Sequence, residues 1–207
     1  LVVSKTLYYS HDPMCSWCWA FRPAFNTLIE KLPKEINVIR LLGGLASDSD
    51  IAMPDNIREY VLQNWRAIEK KVPETKFNYD FWEQCKPRRS TYPACRAVIA
   101  ARKQKNKFDT KMTLAIQKAY YLQARNPSDY ETLIELAGEI GADKTKFSKD
   151  VASSETDKIL KEEIQQSKSL ELKSLPSLVF VNGEKKIKIE PDYLDAEVML
   201  DKIELVK

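Results

Sequence analysis

Two cysteines three residues apart, in Cys15-Ser16-Trp17-Cys18, carry the clearest chemistry in the chain. Thiols at that spacing on a helix lie one turn apart, close enough to close a small disulfide or to resolve a mixed one. The preceding run, Ser10-His11-Asp12-Pro13, reads as a loop, and helical periodicity begins at Ser16. Cys15 therefore falls at a helix N-terminus, where unpaired N–H groups and the positive end of the helix dipole stabilise a thiolate. The expectation is an attacking Cys15 and a more buried, resolving Cys18. Half of a zinc knuckle would need further ligands, but no second C-x-x-C occurs and His11 is the sole histidine. No metal and no organic cofactor is expected, because electrons come from another thiol system.

Other residues near the pair admit two readings each. His11 could touch the Cys15 thiolate, or be a loop histidine without a chemical role. Asp12 could accept the Cys18 proton from a buried position, or serve ordinary turn chemistry before Pro13. Trp19, Phe21 and Phe25 are expected in the core, and Trp17 exposed and open to a client. Cys85 and Cys95 are expected as free, buried thiols. Ser90, Thr91 and Arg96 would reach the active site only if the middle of the chain folds over it; otherwise they are a helix cap and a surface arginine.

Those residues need a scaffold, and the pattern supplies one. Lys5–Tyr9 is a short buried strand, Ser16–Leu32 a helix closed by Pro33, and Ile36–Leu42 a second strand ended by Gly43-Gly44. This is a βαβ unit, whose default is a parallel pair with a right-handed crossover. From Pro54 to about Leu170 only helical periods occur, among them Ile57/Val61/Trp65, a helix opened by Ser90-Thr91-Tyr92-Pro93, and Phe108 through Leu122. Strand signal returns in Ser177–Val181, turns at Asn182-Gly183, and continues through Glu184–Glu190 as a hairpin. A last helix is expected from Pro191-Asp192.

Composition agrees with a globular protein: 43% hydrophobic and 30% charged residues, with a net charge of +3. That balance calls for no nucleic-acid partner, and no run approaches the ~18 apolar residues of a membrane span. No basic head with an apolar run marks a secretory signal, so the expectation is a cytoplasmic protein, or a periplasmic one if a signal was removed before Leu1.

The run from His11 to Trp19 resembles the active-site segment of DsbA-like thioredoxin-fold proteins, closest to the FrnE-like group of protein-disulfide isomerases. Pro23 matches that fold's helix proline, and Leu175-Pro176 matches its cis-proline loop. Ser90–Val98 and Gln117–Asp143 resemble the helical insertion shared with kappa-class glutathione transferases and 2-hydroxychromene-2-carboxylate isomerases. The resemblance implies an α/β thioredoxin fold with a large all-helical insertion between its βαβ and ββα halves. Its thioredoxin-like domain would comprise residues 1–50 and 172–207, with residues 51–171 as the insertion. It further implies catalytic Cys15 and Cys18, with Ser16, Trp17, Leu175 and Pro176 binding an extended substrate by added-strand hydrogen bonds. Partners would be protein thiol and disulfide clients, with glutathione a further candidate. Ser16-Trp17 replaces both the Gly-Pro of thioredoxins and the Pro-His of strong oxidants, so an intermediate redox poise is expected, suited to an isomerase or reductase. Two alternatives stand beside this one. A kappa-like glutathione-dependent enzyme would carry Ser at position 15 and no second cysteine; a thioredoxin-fold chaperone would use the groove without exchange.

Overall fold

In the computed structural model, residues 4–206 are described. Strand β1 (Lys5–His11) leads to helix α1 (Ser16–Lys31) and strand β2 (Ile36–Leu42). Seven helices follow: α2 (Asp55–Lys71), α3 (Phe81–Gln84), α4 (Tyr92–Gln104), α5 (Phe108–Leu122), α6 (Tyr130–Glu139), α7 (Lys144–Val151) and α8 (Ser154–Ser169). The chain then closes with β3 (Ser177–Asn182), β4 (Lys185–Ile189) and α9 (Ala196–Glu204). The sheet order is β2-β1-β3-β4, with β1 and β2 parallel and the other pairs antiparallel. This is the expected thioredoxin fold with helices set between its halves.

Apolar residues decide the layers. Leu7, Phe21, Phe25, Leu28, Leu178, Phe180, Met199 and Ile203 form one core between the sheet, α1 and α9. The helices enclose a second core around Trp65, Phe81, Ile99, Met112, Tyr121 and Phe147. Met14 and Leu42 join that second core from the sheet side. Helix α4 is buried from Pro93 through Ala101, and its small residues let neighbouring helices approach on every side. The exposed edge strand β4 carries Lys185, Lys186 and Lys188, charges that discourage edge-to-edge pairing.

Two boundaries differ from the sequence reading. Strand β1 runs on through Ser10 and His11, because Leu41 and Leu42 of β2, and Ser177 of β3, extend the ladder alongside them. Helix α9 begins at Ala196, not near Pro191, because Asp192 first closes a turn by accepting from the Leu194 and Asp195 N–H groups. Asp195 then caps the helix.

Candidate active site

Cys15 is the N-cap of α1, and its sulfur accepts from the Cys18 N–H at 3.3 Å. The Cys15 N–H donates in turn to the Asp12 carbonyl at 3.0 Å. Both cysteines are free thiols and buried, Cys18 almost completely at 1% exposure. Burial pushes the Cys18 thiol well up, and the neighbouring Cys15 sulfur adds to that shift. The two thiols differ in their partners: the sulfur of Cys15 accepts from one backbone N–H and donates to the Leu175 carbonyl, whereas burial keeps the proton on Cys18.

The Leu175-Pro176 bond is cis, and the Leu175 carbonyl lies 3.5 Å from the Cys15 sulfur. The chain after β2 passes close to this loop. A Cβ on Gly43 would sit 2.7 Å from the Leu175 side chain and 2.8 Å from Ser10 Oγ, so glycine lets the two segments meet. Gly44 has a φ of +64° and turns the chain into the active-site wall. A cavity of about 520 Å³ opens in front of Cys15, with Met14, Trp17, Arg89 and Leu175 among its lining.

Asp12 is fully buried and ties this site together. Its carboxyl accepts from the Met14 N–H (2.8 Å), the Leu45 N–H (2.8 Å), the Thr91 hydroxyl (2.6 Å) and the Cys95 thiol (3.3 Å). Burial raises its pKa, and those hydrogen bonds oppose the rise. The inserted helices thus reach the loop before Cys15 through Thr91 and Cys95. Thr91 does not cap α4 with its side chain, since its hydroxyl is given to Asp12. Ser90 instead holds the β2–α2 connection through the Ser49 N–H.

Several sequence expectations need correction. His11 belongs to β1 and is buried, stacked on Tyr9 with ring centroids 5.0 Å apart. Burial, reinforced by Arg40, Arg102 and Arg22, pushes its pKa down to about 3. It is a neutral core residue and supplies no positive charge to Cys15. Trp17 is half-buried rather than exposed: its indole N–H donates to Asn64 Oδ1 at 3.1 Å, and its ring meets Tyr193 edge-on. Trp19 is also only half-buried, whereas Phe21 and Phe25 are core. The Ser16 hydroxyl is turned to Trp65, whose indole N–H donates to it at 2.9 Å. Arg96 is neither at the site nor on the surface. It is a buried clamp on Asp48, Asp157 and the Tyr130 hydroxyl. Cys95 is buried, but Cys85 is half-buried.

Tyrosines were missed altogether. The phenols of Tyr9, Tyr121 and Tyr193 are held protonated first by burial, with the nearby Cys15 and Cys18 adding to the effect. For Tyr9 a signal existed, because it lies on an inward position of β1, in phase with Leu7. Tyr193 and Tyr121 arrive from distant segments, and no local pattern marks them. Among the described residues, no group of three or more His, Cys, Asp or Glu side chains could hold a metal ion. No described helix is long and apolar enough to cross a membrane.

A thioredoxin family profile matches residues 8–194. Among curated proteins, the chain is 26% identical over 177 residues to the ClpXP adapter protein SpxH of Bacillus subtilis, covering 85% of this chain and 58% of the relative. It is 28% identical over 214 residues to SpxH of Bacillus cereus, covering 99% of this chain and 69% of the relative. The chain thus spans about three-fifths of the first of these relatives. Among solved structures, it superposes on a Nitrosomonas europaea protein provisionally named a protein disulfide isomerase, with a TM-score of 0.83 at 23% identity, covering 98% of this chain and 97% of that one. It also superposes on the cytosolic disulfide reductase DsbM of Pseudomonas aeruginosa, with a TM-score of 0.78 at 19% identity, covering 98% of this chain and all of that one. DsbM has also been solved with glutathione; that structure matches with a TM-score of 0.76 at 18% identity, covering 97% of this chain and 98% of that one.

Proposed function

The chain belongs to the thioredoxin family, and from that premise we propose that it is a thiol–disulfide oxidoreductase working through Cys15 and Cys18. One observation carries the reading: the Cys15 sulfur caps α1, with the Cys18 N–H on one side and the Leu175 carbonyl on the other. The thiolate of Cys15 attacks a client disulfide, forms a mixed disulfide and expels one client sulfur as thiolate. Cys18 then loses its proton and attacks Cys15, expelling the second client sulfur. The client gains two electrons, and the protein keeps them missing as a Cys15–Cys18 disulfide until another thiol reduces it.

The proposed direction rests on electrostatics. Among the described residues no imidazolium flanks the pair, since His11 is neutral, and a strong oxidant needs a heavily stabilised reduced thiolate. The reading is therefore a reductase or isomerase of protein clients. Glutathione is proposed as one electron donor, supported by the glutathione-bound structure of the similar DsbM. Acceleration of insulin reduction by dithiothreitol, lost in Cys15→Ser, is the expected result; an unaccelerated reaction would overturn the reading.

The SpxH relatives favour a second reading, a docking adapter that needs no exchange. An adapter would keep its partner binding in the Cys15→Ser variant, where an exchanger loses its activity.

A further inference from the structure

The cavity in front of Cys15 has an unbalanced lining. Arg89, Lys168 and Lys173 contribute to it, while no Asp or Glu does. Charges on this chain are otherwise closely mixed, with 33 basic and 30 acidic residues, so a wall of one sign is a local feature. The sequence neighbours Arg88 and Arg89 make the contrast sharp. Arg88 is tied down, donating to the Asp129 carboxylate and the Ser128 carbonyl at 2.7 Å each. Arg89 is half-buried, and among the described residues its guanidinium has no hydrogen bond or ion pair. Its charge is felt by the buried Tyr120, which lines the same cavity. A guanidinium held partly out of water without a carboxylate is a costly arrangement unless something else supplies the anion.

Resting on the exchange reading above, we propose that this cavity selects carboxylate-bearing thiols and disulfides, with Arg89 as the specificity-determining residue. The carboxylate pairs with the Arg89 guanidinium beside the reacting sulfur, and Lys168 and Lys173 on the rim attract the anion as it approaches. A volume of about 520 Å³ holds a compound of peptide size, or one or two residues of a polypeptide. The chemistry stays that of the exchange step: the disulfide takes two electrons, leaves as two thiols, and the Cys15–Cys18 disulfide forms. What the cations add is discrimination between partners of different charge.

The test uses the reduced full chain and three small disulfides. These are dithiobis-nitrobenzoate with two carboxylates, the neutral dithiodipyridine, and cystamine with two ammonium groups. Second-order rates are read for the wild type, Arg89→Gln, Arg89→Glu and the exposed pair Lys168→Gln/Lys173→Gln, with Cys15→Ser as the blank. A charge-assisted hydrogen bond is worth about 1.5–3 kcal/mol, so Arg89→Gln should slow the dianionic probe about tenfold more than the neutral one. Arg89→Glu should slow the dianionic probe further and speed the dicationic one, each relative to its own wild-type rate. The double lysine variant, which disturbs no packed residue, should reduce the anionic preference about two- to threefold. The wild-type preference should fall as salt rises from about 0.01 to 0.5 M. Repeating the comparison with oxidised glutathione and with a disulfide-linked acidic peptide separates the sources. A loss confined to glutathione assigns the cavity to small compounds, and a loss with both extends it to acidic protein segments. Equal slowing of all probes by the Arg89 variants, or a Cys15-dependent reaction blind to charge, overturns the proposal alone. Absence of any Cys15-dependent reaction overturns the exchange reading, and the proposal with it.

Discussion

Cys15 and Cys95 make an instructive pair, because both residues hydrogen-bond Asp12, one through its backbone and the other through its sulfur. Cys15 sits at the N-cap of α1, its own N–H bonded to the Asp12 carbonyl and its sulfur met by a backbone N–H. Cys95 sits one turn inside α4, its N–H bonded to the Thr91 carbonyl and its sulfur donating to the Asp12 carboxylate. Burial pushes the Cys95 thiol well up, and the Asp12 charge adds to it. A helix start turns donors toward a sulfur, whereas a position further along leaves it to whatever packs there. Residue type alone does not set a thiol's chemistry; its position along the helix counts as well.

The largest effect that could break this contrast is loss of the first sulfur. Cys15→Ser should abolish the acceleration and leave insulin reduction at the rate of dithiothreitol alone, since it removes the attacking atom. Cys18→Ala should instead accumulate mixed disulfides with clients, visible on non-reducing gels. Trapping through Cys18 when Cys15 is absent would reverse the assignment. Cys95→Ala should leave the exchange rate within about twofold.

Alkylation sharpens the same comparison at intermediate scale. Under native conditions iodoacetamide should modify Cys15 about a hundredfold faster than Cys95, whose thiol is fully buried and whose ionisation is opposed by Asp12. Mass spectrometry of peptides after timed quenching gives both rates. Comparable rates would mean that α4 opens readily and that the Asp12 contacts are weak.

How far this contrast could be read in the sequence follows from the reach of each signal. Each strand and helix of the βαβ unit, the hairpin and the helical middle, and the position of Cys15 at a helix start, rests on a pattern within about twenty residues, and all are present. Contacts that join Asp12 to Thr91 and Cys95 span 79 and 83 positions, and periodicity carries no information over such distances. Thr91 was half legible: it holds the N-cap position of α4 that Tyr92-Pro93 suggests, yet its hydroxyl serves Asp12 and not the helix. Arg96 likewise reads as a surface residue on a helix whose burial comes from α5, α7 and α8 packing around it. His11 looked like a loop residue because Ser-His-Asp-Pro is turn chemistry, and only the neighbouring strands extend β1 through it.

Asp12→Asn tests whether the shared carboxylate is what separates the two cysteines. All four hydrogen-bond partners of that carboxyl are donors, so an amide nitrogen on either side must face one of them. Leaving a buried donor without an acceptor costs about 1–3 kcal/mol, and urea unfolding should register a loss in that range. The same change removes a negative charge that raises the Cys18 and Cys95 thiols. Both should therefore ionise at lower pH than in the wild type, followed by thiolate absorbance in single-cysteine backgrounds. A stability loss without any shift in either titration would reduce Asp12 to a packing role.

The smallest effect concerns His11, the buried neighbour that contributes no charge to either cysteine. Its folded-state pKa is about 3, against ~6.5 for a free histidine. Between those values the unfolded chain binds a proton that the native chain refuses, so acid favours unfolding. The contribution to stability is complete above about pH 6.5 and is lost progressively as pH falls toward 3. At pH 5.5 the expected loss is about 1.4 kcal/mol, the cost of one unit of unshared titration. Asp12 acts in the opposite direction, because its raised pKa lets the native state take up a proton first as pH falls. The comparison must therefore be between the wild type and His11→Phe, where Asp12 and every other group cancel. Phenylalanine keeps a ring to stack on Tyr9 and removes the titration. Its stability should fall less between pH 7 and 5.5, by that same margin in urea midpoint analysis. As the only imidazole in the sequence, His11 can also be followed by one proton resonance, which should stay in its neutral position down to pH 4.5. Titration of that resonance near pH 6.5 would return His11 to solvent, and would restore it as a possible partner of the Cys15 thiolate.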